Sequence, residues 1–169
     1  MKKLITFHVF ALLLLCAISA SAQTRGIGIG GYVQTNRDEM GGINGKVWLN
    51  SNNAFDLSVS IQDNPFGQDM GAYVSYLYHF WGVIPSSSPK LPLYVGPNGG
   101  IGVWDGGYAL RFGAVGGLDV CIVPIPMDFY LQLNPTFEFR HFDDNNYHDN
   151  SGLGLTMYLQ LGARFWFGG

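Results

Sequence analysis

The chain has 169 residues, a formal net charge of −3, and only 12% charged residues beside 47% hydrophobic, 15% aromatic and 24 glycines. Scarce charge with acid in excess excludes a nucleic-acid partner, which needs a basic surface to displace counterions. The length suits one domain, and two cysteines are too few for a disulfide scaffold.

At the N-terminus Lys2 and Lys3 precede an apolar run, Leu4 to Ile18, that ends in Ser19-Ala-Ser-Ala22. This reads as a secretory signal with an Ala-x-Ala cleavage site, and the run is shorter than the about 20 residues a spanning helix needs. Residues 1–22 are therefore expected to be removed, leaving 23–169 as a single exported domain. Cys16 belongs to the signal, because Leu15 stands before it where a lipoprotein signal wants a small residue. Without Lys2 and Lys3, seven basic residues face twelve acidic ones, a net charge of −5, and Cys121 is the one thiol left.

Eight segments then alternate apolar and polar residues with a period of two, the signature of half-buried strands. They run approximately over 25–34, 41–49, 53–62, 69–80, 91–104, 108–121, 127–142 and 152–167. Between them lie stretches such as Asn50-Ser-Asn-Asn53, Asp63-Asn-Pro-Phe-Gly-Gln68, Asp105-Gly-Gly107 and Val123-Pro-Ile-Pro126, rich in the residues that sharp turns require. No segment after the signal has helical periodicity. The fold class is all-β.

The third strand sets Phe55, Leu57, Val59 and Ile61 against Asp56, Ser58, Ser60 and Gln62. The sixth sets Leu110, Phe112, Ala114, Gly116, Leu118 and Val120 against Arg111, Gly113, Gly117 and Asp119. The seventh sets Phe129, Leu131, Leu133, Phe137 and Phe139 against Asp128, Gln132, Asn134, Thr136, Glu138 and Arg140. In each, one row carries every charge. The fourth strand is ambiguous, since Met70, Ala72, Val74, Tyr76, Tyr78 and Phe80 compete with Tyr73, Leu77 and Trp81. Pro135 forfeits a ladder hydrogen bond and suggests a bulge.

Two barrels fit these rows. With apolar rows outward, Lys46, Asp56, Arg111, Asp119, Asp128, Glu138, Arg140 and Arg164 share the lumen and pair there. An eight-stranded barrel is narrow enough for side chains to fill it, so the interior is a polar plug and not a pore. Inward glycines, Gly26, Gly28, Gly30, Gly100 and Gly102, leave room for Trp48, Tyr94 and Tyr158. With apolar rows inward, the chain is a soluble lipocalin-like carrier around a ligand cavity. Aromatics gathered at strand ends, Tyr76, Tyr78, Phe80 and Trp81 and again Phe165, Trp166 and Phe167, look like the interfacial girdles of a membrane barrel and favour the first.

The last strand ends Gln160-Leu-Gly-Ala-Arg-Phe-Trp-Phe167. It resembles the C-terminal assembly signal of bacterial outer-membrane barrels, with Gln160, Gly162, Phe165 and Phe167 at the signal's positions, followed here by Gly168 and Gly169. The whole chain after the signal peptide resembles the small eight-stranded outer-membrane barrels of the OmpA/OmpX type. Lys46-Val-Trp-Leu-Asn-Ser-Asn-Asn-Ala-Phe-Asp56, Tyr76-Leu-Tyr-His-Phe80 and Leu91-Pro-Leu-Tyr-Val-Gly96 are similar to a largely uncharacterised subfamily of them. The resemblance implies an antiparallel up-and-down transmembrane β-barrel in the cell outer membrane. Its partners would be outer-membrane lipids and, during biogenesis, the barrel assembly machinery, with both termini on the periplasmic side and the barrel a monomer. A surface partner is not legible, and one barrel scaffold hosts enzymes, adhesins and structural proteins alike.

Chemistry-bearing residues concentrate near the last outer loop: His141, Asp143, Asp144, His148, Asp149 and Ser151. A histidine, a carboxylate and a serine could build a hydrolase triad, and outer-membrane lipid A deacylases are similar to this chain in size and strand number. They carry a His-x-Ser-Asn motif, which neither His141-Phe-Asp-Asp144 nor His148-Asp-Asn-Ser151 satisfies. Asp143, Asp144, Asn145 and Asp149 offer hard oxygens to a divalent cation, without EF-hand spacing. Gly26-Ile-Gly-Ile-Gly-Gly31 opens a strand with no helix after it, so it is not a nucleotide loop. Cys121 has no histidine beside it in the sequence, and His79 reads as an interfacial or lumen hydrogen-bonding residue. The expectation is a non-enzymatic barrel without a cofactor or metal, with an envelope-lipid hydrolase using Asp144, His141 or His148, and Ser151 as the alternative.

Overall fold

The computed structural model describes residues 26–35, 40–64, 67–122, 125–142 and 152–167. Residues 1–22, expected to be a signal, lie outside the described residues, as do Asp143, Asp144, His148, Asp149 and Ser151. The described residues form β1 (Ile27–Thr35), β2 (Met40–Trp48), β3 (Asn53–Asn64), β4 (Gly67–Phe80), β5 (Leu93–Trp104), β6 (Gly107–Ile122), β7 (Met127–Phe142) and β8 (Gly152–Phe167). Every strand end falls within two residues of the position expected from the alternation. Turn chemistry fixes these limits: Gly106, between β5 and β6, takes the left-handed φ of 85°, which a side chain resists. Before β3, Asn50 Oδ1 accepts from the backbone N–H groups of Asn52 at 3.0 Å and Asn53 at 2.9 Å.

Each strand pairs antiparallel with the next, and β8 pairs antiparallel with β1, so the sheet closes into a barrel. Closure removes the unpaired edge that an open sheet exposes. The stagger can be followed from residue to paired residue. From Arg164 the pairs run to Gly30, Asn44, Ser58, Tyr73, Gly100, Arg111, Glu138 and back to β8 at Gly154. One circuit thus shifts the chain from position 164 to 154, ten residues. Ten residues of rise spread over eight strand spacings tilts the strands by about 40° to the barrel axis, inside the usual range.

Register decides which row faces in. Lys46, Asp56, Asp119, Asp128, Glu138 and Arg164 are all buried, while Ile43, Phe55, Val74, Leu110, Phe129 and Leu161 are exposed. The ambiguity in β4 resolves with Val74, Tyr76, Tyr78 and Phe80 outward and Leu77 inward. Leu77 joins Tyr94 and Val115 in a small apolar cluster inside the lumen. A carrier needs the reverse orientation, apolar rows around a cavity and charges outside, and the described residues do not adopt it.

Pro135 makes no bulge. Its neighbours keep one register against β6, with Gly113 opposite Thr136 and Gly116 opposite Leu133, and Pro135 itself stands opposite Met157 of β8. A missing N–H removes a hydrogen bond without requiring an extra residue, so the β6–β7 ladder skips two pairs and resumes in phase. The same happens around Pro97, between the pairs Ser75–Asn98 and Tyr78–Val95. Asn98 Nδ2 donates to Ala114 O at 3.3 Å beside this gap, giving that carbonyl a side-chain partner.

Candidate functional site: the polar lumen

The inward rows build three levels. Nearest the turns that follow β2, β4 and β6, Arg164 of β8 reaches across the lumen. Its Nε donates to Asp128 Oδ1 at 2.9 Å, Nη1 to Asp56 Oδ2 at 2.9 Å and Asn44 Oδ1 at 3.3 Å, and Nη2 to Asp119 Oδ1 at 2.6 Å. The planar fork of a guanidinium suits such divided pairing in a way that a point charge does not. The Arg164 guanidinium also lies 4.1 Å from the Tyr130 ring centroid. Lys46 Nζ donates to the other oxygen of Asp119 at 2.5 Å and sits 5.0 Å from both the Trp48 and the Tyr94 rings. Asn44 Nδ2 donates to Asp56 Oδ1 at 2.6 Å. One arginine and one lysine therefore meet three carboxylates.

His79 borders this level. Its Nδ1 lies 3.1 Å from Asn52 O, an oxygen that only accepts, so Nδ1 carries a hydrogen. Its Nε2 lies 3.4 Å from Asp119 Oδ2. The rings of His79, Trp81 and Trp166 pack around Trp48 at centroid distances of 4.3, 5.8 and 6.4 Å. Trp81 Nε1 donates to Ser51 O at 2.7 Å, which holds this aromatic lid onto the β2–β3 turn.

Amides fill the middle. Tyr94 OH donates to Gln132 Oε1 at 2.9 Å; Gln132 Nε2 then donates to Gln160 Oε1, and Gln160 Nε2 to Gln34 Oε1. No charge lies in this chain. Toward the opposite mouth, Arg111 Nη1 donates to Tyr73 OH at 2.5 Å and Nη2 to Glu138 Oε1 at 3.3 Å. Glu138 also accepts from Tyr158 OH at 3.0 Å and Arg140 Nε at 2.7 Å. Arg140 is 51% exposed, so the expectation of a lumen residue holds only for its pairing. Arg140 stands two residues from the end of β7, and a long side chain there reaches water.

A buried ion costs several kcal/mol to desolvate, and pairing offsets this only when the hydrogen bonds are good. The four cations and four anions expected in the lumen do pair: Lys46, Arg164, Asp56, Asp119 and Asp128 at one level, and Arg111, Arg140 and Glu138 at the other. The result is an interior whose charged side chains each meet an opposite charge.

Glycine makes the packing possible, though with partners other than those expected. An added Cβ at Gly28 would meet the Trp166 ring at 3.0 Å, at Gly100 the Tyr73 ring at 2.7 Å, and at Gly102 the Arg111 guanidinium at 2.8 Å. Tyr94 lies over Gly117, 2.6 Å from its would-be Cβ, and Tyr130 over Gly162 at 2.5 Å. Sequence gives the parity of a glycine but not which ring the stagger carries over it. Gly162→Ala is expected to destabilise the folded barrel by about 1–3 kcal/mol, the usual cost of overpacking. Gly154→Ala meets nothing within 4 Å and should leave the urea midpoint of the purified protein unchanged. Equal midpoints for the two variants would remove the ring-over-glycine account.

The C-terminal motif divides between faces. Gln160 is buried in the amide chain and Gly162 lies beneath Tyr130, whereas Phe165 and Phe167 are exposed outward with centroids 5.1 Å apart, edge to face. His141 lies 5.1 Å from the Tyr108 ring. Its suggested partners Asp144, His148 and Ser151 fall outside the described residues, as does the suggested cation loop. Among the described residues no group of three or more His, Cys, Asp or Glu side chains has metal-binding geometry. Cys121 is buried in the wall, where its backbone exchanges hydrogen bonds with Lys90. Asn44, Tyr130 and Gln34 are network members that the reading of charges overlooked. Each shares parity with an inward neighbour two positions away on its strand, Lys46 for Asn44, Asp128 for Tyr130 and Tyr32 for Gln34.

No protein-family model matches the chain, and no curated protein matches it either. The functional reading therefore rests on the barrel itself.

Proposed function

We propose that the chain is a non-enzymatic bacterial outer-membrane protein: an up-and-down barrel of the OmpA/OmpX type with a plugged lumen and a structural or surface-interaction role. The observation that carries this is inverted amphipathicity. Soluble monomers rarely expose contiguous apolar patches beyond a few hundred Å². Here Val33, Ile43, Val95, Phe112, Leu131 and Leu155 are exposed on the outside, while aspartates and arginines occupy the inside. Water rewards the opposite arrangement, and hydrocarbon rewards this one.

Aromatic rings at strand ends support the same reading. Tyr78 and Phe80 meet edge to face at 5.0 Å, and Phe165 and Phe167 at 5.1 Å, on the side of the barrel where the strands begin and end the chain. Rings with an apolar body and a polar or polarisable edge belong at a membrane interface. A signal peptide over 1–22 would deliver the chain to the envelope, and Gln160, Gly162, Phe165 and Phe167 would address it to the barrel assembly machinery. The closed sheet offers no open edge for a second copy, consistent with a monomer. A lumen filled by paired charges and amides supports a plug over a pore, with the outer loops as the proposed contact surface.

Membrane fractionation with gel mobility read before and after boiling tests the proposal. The protein should partition with outer membranes and change mobility on heating; recovery as a detergent-free soluble periplasmic protein would overturn it.

A further inference from the structure

We propose that the amide-lined cavity at the middle of the lumen is a binding site for one ordered water molecule, held by Gln34, Asn134 and Asn98. The cavity has a volume of about 10 Å³ and is lined only by uncharged polar side chains, including Ser58, Ser75 and Thr136. That is about the least space that admits one water, and it excludes an organic ligand.

The hydrogen-bond inventory specifies the occupant. Asn134 Nδ2 is a buried donor and Asn98 Oδ1 a buried acceptor without a well-formed protein hydrogen bond, and Gln34 Nε2, whose amide also approaches the Tyr73 hydroxyl, has an N–H left over for the cavity. All three residues line the cavity. Gln34 cannot turn its amide over alone without setting its N–H against the N–H of Gln160, because its Oε1 already accepts from Gln160 Nε2. The donor sequence that starts at Tyr94 and passes through Gln132 and Gln160 therefore ends in an N–H that needs an acceptor. A cation meets two donors here and an anion meets the Asn98 oxygen. Water alone accepts two hydrogen bonds and donates a third, so it suits the set. The site joins β1, β5 and β7 at the level where the lumen holds no charge, and it does so whatever solvent surrounds the barrel.

Water-selective nuclear Overhauser spectroscopy on the folded, nitrogen-15-labelled protein in detergent micelles tests this. The side-chain amide protons of Gln34 and Asn134 should both show cross-peaks to a long-lived water. In Ser75→Val, whose added methyl enters the cavity, both cross-peaks should be lost while backbone shifts elsewhere are retained. Absence of the cross-peaks in the unmodified protein would overturn the proposal, as would their persistence in a folded Ser75→Val protein. Should that variant not fold, the unmodified protein decides alone.

Discussion

Arg164→Ala is expected to cost the folded barrel about 3–5 kcal/mol, the range for removing one partner of a buried ion pair. The substitution leaves Asp56, Asp119 and Asp128 within one level with Lys46 as the remaining basic side chain. It also uncovers the face of Tyr130 and takes one hydrogen bond from Asn44. Arg164→Lys should recover only part of the loss, because an ammonium restores the charge but not the fork that reaches four side chains. Urea titrations of the refolded protein, followed by tryptophan fluorescence and by heat-dependent gel mobility, give the comparison. An alanine variant within about 0.5 kcal/mol of the unmodified protein, inside the usual scatter for surface substitutions, would remove Arg164 as the centre of the lumen.

The second large effect is expected outside. Leu131 of β7 stands opposite Leu161 of β8 near mid-strand, and the two are 45% and 55% exposed. In the proposed membrane setting, Leu131→Arg should destabilise by about 2–4 kcal/mol, as for Arg at the bilayer midplane. In a water-soluble barrel the same change would add a charge to a wet surface, with little effect on stability and a gain in solubility. Refolding Leu131→Arg and Leu161→Arg into lipid vesicles separates the two cases. Equal stability of both variants and the unmodified protein would contradict a lipid-facing row. Arg164→Ala cannot make this distinction, since the lumen is buried in either solvent.

The difference between these two tests reflects what a strand sequence encodes. Parity is local: Arg111 and Asp119 are eight positions apart, so they must share a face, and the seventh strand binds Asp128 and Glu138 in the same way. The inward row was legible for that reason. Level is not local, because it depends on the stagger accumulated around the barrel. Nothing near Arg164 announces that β3 and β6 bring Asp56 and Asp119 within 3 Å of one guanidinium. The same holds for Tyr130 above Gly162. His79 was assigned two alternatives, and its contact with Asn52 and approach to Asp119 select the lumen. Pro135 misled because a rule about donors was extended to residue count, whereas the paired register on both sides of β7 is continuous.

Arg164 has a further meaning in time. The carboxylates it neutralises stand on β3, β6 and β7, all made before β8, and β8 is also the strand that joins β1 to close the wall. A chain lacking its last strand carries three acids against one lysine at that level, with Asp56 and Asp128 left without their cation, a reason for its interior to stay hydrated. Arrival of the final strand supplies the missing cation and the missing seam together. Closure of the seam and neutralisation of that level thus depend on the same strand.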